Sequence, residues 1–172
     1  MTPPSEQSGS AAEERPILDR LTALGIPFER HEHPPIASAI GTEELWPEID
    51  AVQTKNLFLT NARRTRFYLV VLDHVKRADL KRVADQLADG RLSFGSPERL
   101  MAYLGVTPGS VSALGVVHDR EHAVRVCIDQ ELKRTPKISF HPNINTATLV
   151  ITFADFERFL VASGNAVQFV NL

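Results

Sequence analysis

Two hydrophobic segments joined by a short basic loop constrain the fold of this chain more than any other feature. The first segment, residues 52–60, contains KNLFLT, and the second, residues 66–72, reads RFYLVVL. Both are rich in aromatic and other large apolar residues, as buried strands typically are. The connecting loop, NARRT, is polar and short. We therefore predict that the two segments form a β-hairpin.

The remaining elements follow in an irregular order. Helices are predicted at residues 16–24, 41–46, 76–88, 97–104 and 153–163. Further strands are predicted at residues 26–33, 124–129, 138–140, 146–152 and 167–170. Strands and helices do not alternate regularly along the chain. This order favours the α+β class, with a mixed or mostly antiparallel sheet, over a doubly wound parallel sheet.

Several helix boundaries are marked by residues that suit helix ends. Pro16 fits a first helical position and Gly25 a C-terminal stop. Ser96 precedes Pro97 and an early acidic residue, which predicts a helix start there. Gly105 is expected to end that helix.

Length and composition indicate one globular domain. The chain has 172 residues, of which 43% are hydrophobic. Residues 1–15 are rich in Pro, Ser, Gly and Glu and are predicted to be a disordered lead-in, so that the domain covers residues 16–172. The start shows no export signal, and no apolar run is long enough for a bilayer. Cys127 is the only cysteine, which excludes an intramolecular disulfide and favours a reducing, cytoplasmic setting.

Charge is distributed unevenly along the chain. Residues 1–50 carry ten acidic and three basic residues, whereas residues 51–172 carry eleven acidic and sixteen basic residues. Residues 55–99 alone hold ten basic residues against five acidic ones. A basic stretch of this kind attracts polyanions. The same pattern is also typical of a solvated helix face followed by a basic turn.

Several common catalytic motifs are missing. The sequence has no P-loop, no G-x-G-x-x-G and no G-x-S-x-G. His31 and His33 share one side of a strand without a third ligand nearby, and His118 and His122 lack the H-E-x-x-H order of a zinc site. Cys127 lies among aliphatic residues and is predicted to be a packed core thiol. We expect neither a metal nor a cofactor.

Three places remain as candidates for chemistry. Lys55 interrupts an otherwise uncharged strand and is either an outward-facing residue or an anion anchor in a cleft. Residues 108–112, PGSVS, form either an ordinary connection or a loop that presents backbone N–H groups to a ligand. His141 and Asn143 flank a proline between two strands, where they either belong to a simple turn or bind a polar substrate.

These segments together resemble a known family. KNLFLTNARRTRFYLVVLD, LSFGSPERLMAYLGVTPGSVSALGVVHD and FHPNINTATLVI, in this order, resemble the prolyl-tRNA editing proteins of the YbaK/aminoacyl-tRNA synthetase-associated domain family. The resemblance extends from about residue 17 to residue 172. It implies a single α+β domain with a curved mixed sheet surrounded by helices. It also implies hydrolysis of the ester in mischarged alanyl-tRNA(Pro), with tRNA as partner and prolyl-tRNA synthetase as a transient one.

The resemblance also implies roles for individual residues. Lys55 would hold a phosphate or the terminal adenosine, Gly109 would begin the G-x-x-x-P loop that faces the scissile carbonyl, and His141 would position the substrate or act as a base. Ala113 replaces the closing proline of that loop, which predicts a looser pocket that excludes serine less strictly. The other residues implied to bind substrate are Asn56, Ser110, Val111, Ser112 and Asn143, and the exposed basic turn adds Arg63, Arg64 and Arg66 for tRNA.

The implied mechanism relies on positioning and on hydrogen bonds from the loop to the developing oxyanion. The vicinal hydroxyl of the tRNA ribose would orient or activate the attacking water. Two alternatives stay open from the sequence. One is a related deacylase for cysteinyl-, seryl- or threonyl-tRNA, and the other is a non-catalytic module that binds tRNA or a synthetase.

Overall fold

One mixed sheet of eight strands forms the frame of the protein in a computed structural model that describes residues 7–35 and 49–172. The elements in chain order are α1 (Gln7–Ala23), β1 (Glu29–Glu32), β2 (Val52–Asn61), β3 (Phe67–Asp73), α2 (Leu80–Gln86), β4 (Leu92–Phe94), α3 (Pro97–Leu104), a 3-10 turn (Ala113–His118), β5 (Val124–Asp129), a second 3-10 turn (Gln130–Arg134), β6 (Lys137–Phe140), β7 (Ala147–Thr152), α4 (Phe153–Ser163) and β8 (Val167–Val170). None of the described helices is long and apolar enough to cross a membrane.

The strands are arranged in the order β1-β7-β6-β2-β3-β5-β8, and β4 pairs with β2 outside this path. The β2/β6, β3/β5 and β5/β8 pairs are parallel, and the other four pairs are antiparallel. The predicted α+β class with a mixed, mostly antiparallel sheet in a single domain is therefore confirmed.

The predicted hairpin of β2 and β3 is confirmed, with Thr54 opposite Asp73 and Thr60 opposite Phe67. Its two faces pack against different helices. Phe58 and Leu69 belong to the core that also contains residues of α1, α3 and α4, whereas Leu59 packs with residues of α2. Each large side chain buried in this way contributes roughly 1.5–3 kcal/mol. The hairpin is therefore held rigidly from both sides.

The capping residues act as predicted at α3. The Ser96 hydroxyl accepts a hydrogen bond from the Arg99 N–H at 3.2 Å. Gly105 ends the helix in the left-handed conformation, with φ of 62°. Thr152 and Gly164 cap α4 in the same two ways.

Two helix starts differ from the sequence expectation. The α1 helix begins at Gln7, so Pro16 lies inside it, and residues 7–15 are helical rather than part of a disordered lead-in. The reason is tertiary, since Glu14 is 7% exposed and forms hydrogen bonds of 2.9 and 3.0 Å with the guanidinium of Arg30 on β1.

The α2 helix starts at Leu80 rather than at residue 76. Asp79 caps it by accepting the N–H groups of Lys81 and Arg82. Lys76 instead lies before the helix, where its ammonium group donates to the buried carboxylate of Asp129 at 2.7 Å. The strand β4 was not predicted, and the predicted helix at 41–46 lies outside the described residues.

Candidate active site at a gap in the sheet

Among the described residues, one edge of the strand β2 is only partly covered by other strands. Its first edge pairs with β3 from Thr54 to Thr60. The second edge pairs with β6 at residues 52–53 and with β4 at residues 59–61. Residues 54–57 are therefore left between these two strands on that edge. We call this opening the sheet gap.

The backbone of Asn56 is directed into the sheet gap. The N–H of His74 donates to Gln53 O, and the N–H of Asn61 donates to Arg66 O, so odd-numbered residues of β2 face β3. Even-numbered residues face the other edge, where Phe58 O accepts the N–H of Gly95 at 2.9 Å. Because residue 56 is even-numbered, the backbone N–H and C=O of Asn56 also point to this second edge, between β6 and β4.

The side chain of Asn56 connects the sheet gap to the glycine-containing loop. Its Oδ1 accepts the N–H of Ala113 at 2.9 Å. Ala113 is fully buried at the start of a 3-10 turn, and the Ser112 hydroxyl caps that turn by accepting the N–H of Leu114. The structure thus brings together two regions, residues 56 and 109–113, that the sequence predicted to act together.

The loop itself has few internal hydrogen bonds. Gly109 is exposed with φ of 97°, and a Cβ there would meet no atom within 4 Å, so the glycine is required by its backbone conformation rather than by crowding. Ser110 is buried and Val111 half-buried. Within the described part of the chain, no acceptor binds the N–H of Gly109, Val111 or Ser112.

The turn after β6 packs against α3 and the 3-10 turn that follows the loop. Asn143 is 3% exposed, has a left-handed φ of 62°, and donates through Nδ2 to Leu104 O at 2.9 Å. Its Oδ1 lies 3.0 Å from the point where a Cβ on Gly115 would be. Asn143 therefore links the turn to α3 and to the 3-10 turn. Its buried amide is not open to a substrate in this structure.

His141 is half-buried, and its tautomer follows from its hydrogen bond. Its Nδ1 lies 3.0 Å from Ala147 O. A carbonyl oxygen only accepts, so Nδ1 carries the proton and Nε2 has the free lone pair in the neutral ring. Burial lowers the pKa of His141, and nearby His33 lowers it further, while the bond to Ala147 opposes the shift. The imidazole is therefore mostly neutral near neutral pH.

His33 was not identified as a site residue from the sequence. Its ring lies edge-on to that of His141, with centroids 6.0 Å apart, and its Nε2 is 3.0 Å from the Thr148 hydroxyl. The pairing of β1 with β7 places His33 there. The only signal in the sequence is a histidine directly after the β1 segment, which shows nothing about its neighbours.

Lys55 is half-buried and projects from the face of β2 opposite to Asn56, because neighbouring strand residues alternate. The last β2/β6 pair is Gln53 with Ser139, and Lys55 and His141 each follow that pair by two residues along the chain. Among the described residues, no carboxylate forms an ion pair with Lys55. No carboxylate of residues 7–35 or 49–172 therefore neutralises its charge.

Comparison with known proteins identifies the family. Residues 33–159 match the aminoacyl-tRNA editing domain. The chain is 35% identical to the prolyl-tRNA editing protein ProX of Acetoanaerobium sticklandii over 156 residues, which covers 91% of this chain and 95% of the relative. The chain belongs to the aminoacyl-tRNA editing domain family.

Two further similarities support this assignment of the editing domain. Prolyl-tRNA synthetase associated domain-containing protein 1 of Danio rerio is 32% identical, with 91% of this chain and 88% of the relative covered. The crystal structure of a candidate trans-editing enzyme for prolyl tRNA synthetase has the same fold, with a TM-score of 0.69 at 18% identity over 93% of this chain and 97% of that one.

The three arginines predicted to bind tRNA lie at the far end of the β2–β3 hairpin, away from the sheet gap. Arg63, Arg64 and Arg66 are exposed in the β2–β3 turn. This turn is five residues beyond Asn56 along β2, which is about 17 Å at roughly 3.3 Å per residue. A cavity of about 310 Å³ lies beside it, lined by Asn61, Ala62, Arg63, Thr65, Arg66, Asp89 and Gly90. The structure does not bring these arginines together with the other predicted site residues.

Two other titratable side chains of the editing domain, those of Cys127 and His118, are packed within the fold. Burial raises the pKa of the Cys127 thiol to about 12, in agreement with its predicted role as a core thiol. His118 packs against Gly105, and burial lowers its pKa. Over residues 7–35 and 49–172, no group of three or more His, Cys, Asp or Glu side chains is placed to hold a metal ion.

The contact between Asn143 and Gly115 gives a testable prediction about the site's frame. A Cβ at Gly115 would lie 3.0 Å from both Asn143 Oδ1 and Leu104 O. We expect Gly115→Ala to lower the free energy of unfolding by about 1–3 kcal/mol, because the backbone of α3 and the turn must shift. Urea unfolding measures this loss. Gly90→Ala is the control, since a Cβ there meets nothing within 4 Å, and equal stability losses would contradict the packing argument.

Proposed function

We propose that this editing domain is a trans-acting deacylase that hydrolyses the ester of mischarged tRNA(Pro) in the cytoplasm, with alanyl-tRNA(Pro) as its substrate. The names of the relatives support the tRNA and the editing reaction. The observation that carries the proposal is the loop 109–112, in which three N–H groups bind no acceptor among the described residues and which is tied to the edge of the sheet gap through Asn56.

The unpaired N–H groups suit the chemistry of ester hydrolysis. Attack of water on an ester carbonyl places negative charge on its oxygen, and fixed N–H donors stabilise that charge. In our proposal the donors are the backbone N–H groups of Gly109, which is exposed, and Val111, which is half-buried, because Ser112 is fully buried. The aminoacyl ester is already reactive, so donors and correct positioning are sufficient without a covalent intermediate.

Two side chains complete the proposed site. His141 presents an unprotonated Nε2 at neutral pH, which accepts a hydrogen bond from the substrate ammonium, the ribose hydroxyl or the attacking water. Lys55 has no carboxylate partner among the described residues and binds a phosphate near the 3′ end of the tRNA. The vicinal ribose hydroxyl orients the attacking water.

The proposed substrate is tested with a panel of aminoacyl-tRNAs. Alanyl-, seryl-, cysteinyl-, threonyl- and prolyl-tRNA(Pro) are incubated separately with substoichiometric protein, and remaining ester is measured against protein-free samples. We expect multiple turnovers on alanyl-tRNA(Pro) and little on prolyl-tRNA(Pro). Faster turnover of another ester would replace alanine as the substrate, and binding without turnover would make the protein a tRNA-binding module.

The arginines of the β2–β3 turn are expected to act on binding rather than on chemistry. Changing Arg63, Arg64 and Arg66 to glutamine should weaken tRNA binding and reduce its salt dependence by about one unit of log–log slope for each phosphate that is no longer neutralised. Binding is measured between low and physiological salt. The control changes the exposed Arg120 and Arg134 to glutamine. An unchanged slope in the first variant would remove these arginines from the tRNA interface.

A further inference from the structure

The hydrogen bond between Asn56 and Ala113 has a specific position in the editing domain. It joins the middle of β2 to the last residue of the loop, with Oδ1 and N 2.9 Å apart. No other hydrogen bond joins β2 to residues 109–113 in the described part of the chain. The Nδ2 of Asn56 makes only a long contact of 3.4 Å with the Thr54 hydroxyl.

The bond also decides how the loop is held at its far end. Ala113 is fully buried, so its N–H has no access to water as an alternative partner. Beyond Ala113 the chain continues into the 3-10 turn, which the Ser112 hydroxyl caps. Before it lie the three loop N–H groups that bind no acceptor within residues 7–35 and 49–172. Their position relative to the sheet gap therefore depends on the bond to Asn56.

Position 113 is also where this chain departs from the G-x-x-x-P pattern. A proline restrains a loop through its fixed φ, but it has no N–H and cannot donate to Asn56. Alanine lacks the ring but supplies the donor. The sequence alone suggested that Ala113 only loosens the loop, whereas the structure contains a restraint that exists only because residue 113 is not proline.

We propose that Asn56 is a positioning residue that restrains the loop 109–113 through the N–H of Ala113, in place of a closing proline. The proposal deepens the proposed function and rests on it. It assigns Asn56 a role other than direct contact with substrate through its amide oxygen, because that oxygen is already bonded to the loop. It also implies that the effects on kcat of changing Asn56 and residue 113 are coupled rather than additive.

A double-mutant cycle separates the two roles of Asn56. Asn56→Ala, Ala113→Pro and the double variant are compared with the unmodified chain in kcat and KM for alanyl-tRNA(Pro). Both single changes remove the same hydrogen bond, so we expect Asn56→Ala to lower kcat about 10-fold in the unmodified chain and less than 2-fold in the chain that already carries Ala113→Pro. KM should change little in either case. Equal losses of kcat in both backgrounds would show that Asn56 contacts the substrate directly and would overturn the proposal.

Two further variants serve as controls for the chemistry of the bond. Asn56→Asp keeps an oxygen acceptor at the same position and should restore most of the kcat that Asn56→Ala loses. Ala113→Gly keeps the N–H while removing the side chain, so it should retain the dependence on Asn56 that Ala113→Pro abolishes. Failure of both expectations would contradict a role through the N–H of residue 113.

A measurement that does not use activity tests the same bond. Amide hydrogen exchange at Ala113, followed by NMR, should be slow in the unmodified chain, at least 10-fold faster in Asn56→Ala, and slow again in Asn56→Asp. The exchange of Leu69 in β3 is the reference for intact global folding. Unchanged exchange at Ala113 would overturn the proposal even if the protein deacylates alanyl-tRNA(Pro). Faster exchange without any deacylase activity in the unmodified chain would instead contradict the proposed function.

Discussion

Replacing Lys55 with alanine is expected to lower kcat/KM for alanyl-tRNA(Pro) by about 10- to 100-fold, the range for one hydrogen bond to a charged group. Lys55 is half-buried and its ammonium group has no carboxylate partner among the described residues. Its loss removes a charge that the tRNA backbone would bind. The fold should remain intact, because the neighbouring β2 residues supply the apolar packing.

The controls for Lys55 test whether a positive charge is needed at this position or whether the loss of any lysine lowers activity. Lys55→Arg keeps a positive charge and should retain more activity than Lys55→Ala. Lys81→Ala removes an exposed lysine from the first turn of α2 and should leave kcat/KM within 2-fold. If folded Lys55→Ala deacylates alanyl-tRNA(Pro) at the unmodified rate, Lys55 is an ordinary strand residue and the anchor assignment fails.

The hairpin and the ends of α3 and α4 were predictable because their causes are local. Alternating and continuous apolar runs determine which segments are strands, and Ser96 and Thr152 accept N–H groups only three residues away. Such signals are contained in a short window of sequence. The mixed sheet followed from the irregular order of the elements rather than from any single residue.

The errors at α1 and α2 have causes that are distant in sequence. Glu14 is held by Arg30, and Lys76 by Asp129, so each helix boundary depends on a partner in another element. A window around residue 14 or 76 contains neither partner. The strand β4 was missed for a similar reason, since its three residues form a strand only by pairing with β2.

The candidate site also combines local motifs, which were predictable from the sequence, with contacts between distant segments, which were not. The segments that form it were recognisable from KNLF, the glycine-containing loop and HPN, because each is a contiguous motif. The sheet gap was not predictable, because it arises where β6 and β4, among the described strands, leave part of one β2 edge unpaired. The contact of His33 with His141 and the bond from Ala113 to Asn56 depend on that arrangement too.

His141 should give the pH dependence of the reaction on its acidic side. Burial is the largest cause that lowers the pKa of His141 below the ordinary value of 6.5, so the ring becomes protonated only at a pH below 6.5. Protonation removes the Nε2 lone pair. We therefore expect kcat/KM to stay constant from neutral pH to below 6.5, and to approach a tenfold fall per pH unit once the pH lies below the lowered pKa of His141.

Substitution by asparagine tests whether Nε2 is the group that matters. The amide of His141→Asn can still donate to Ala147 O, as Nδ1 does, but it has no counterpart of Nε2. We expect a loss of about 100-fold or more in kcat/KM, the lower range for general acid–base catalysis, together with loss of the acidic limb. His31→Gln on β1 is the control and should leave both unchanged. An acidic limb that persists in His141→Asn would mean that another group titrates, and the neighbouring His33 would then be the residue to change, because its ring is the one that contacts His141.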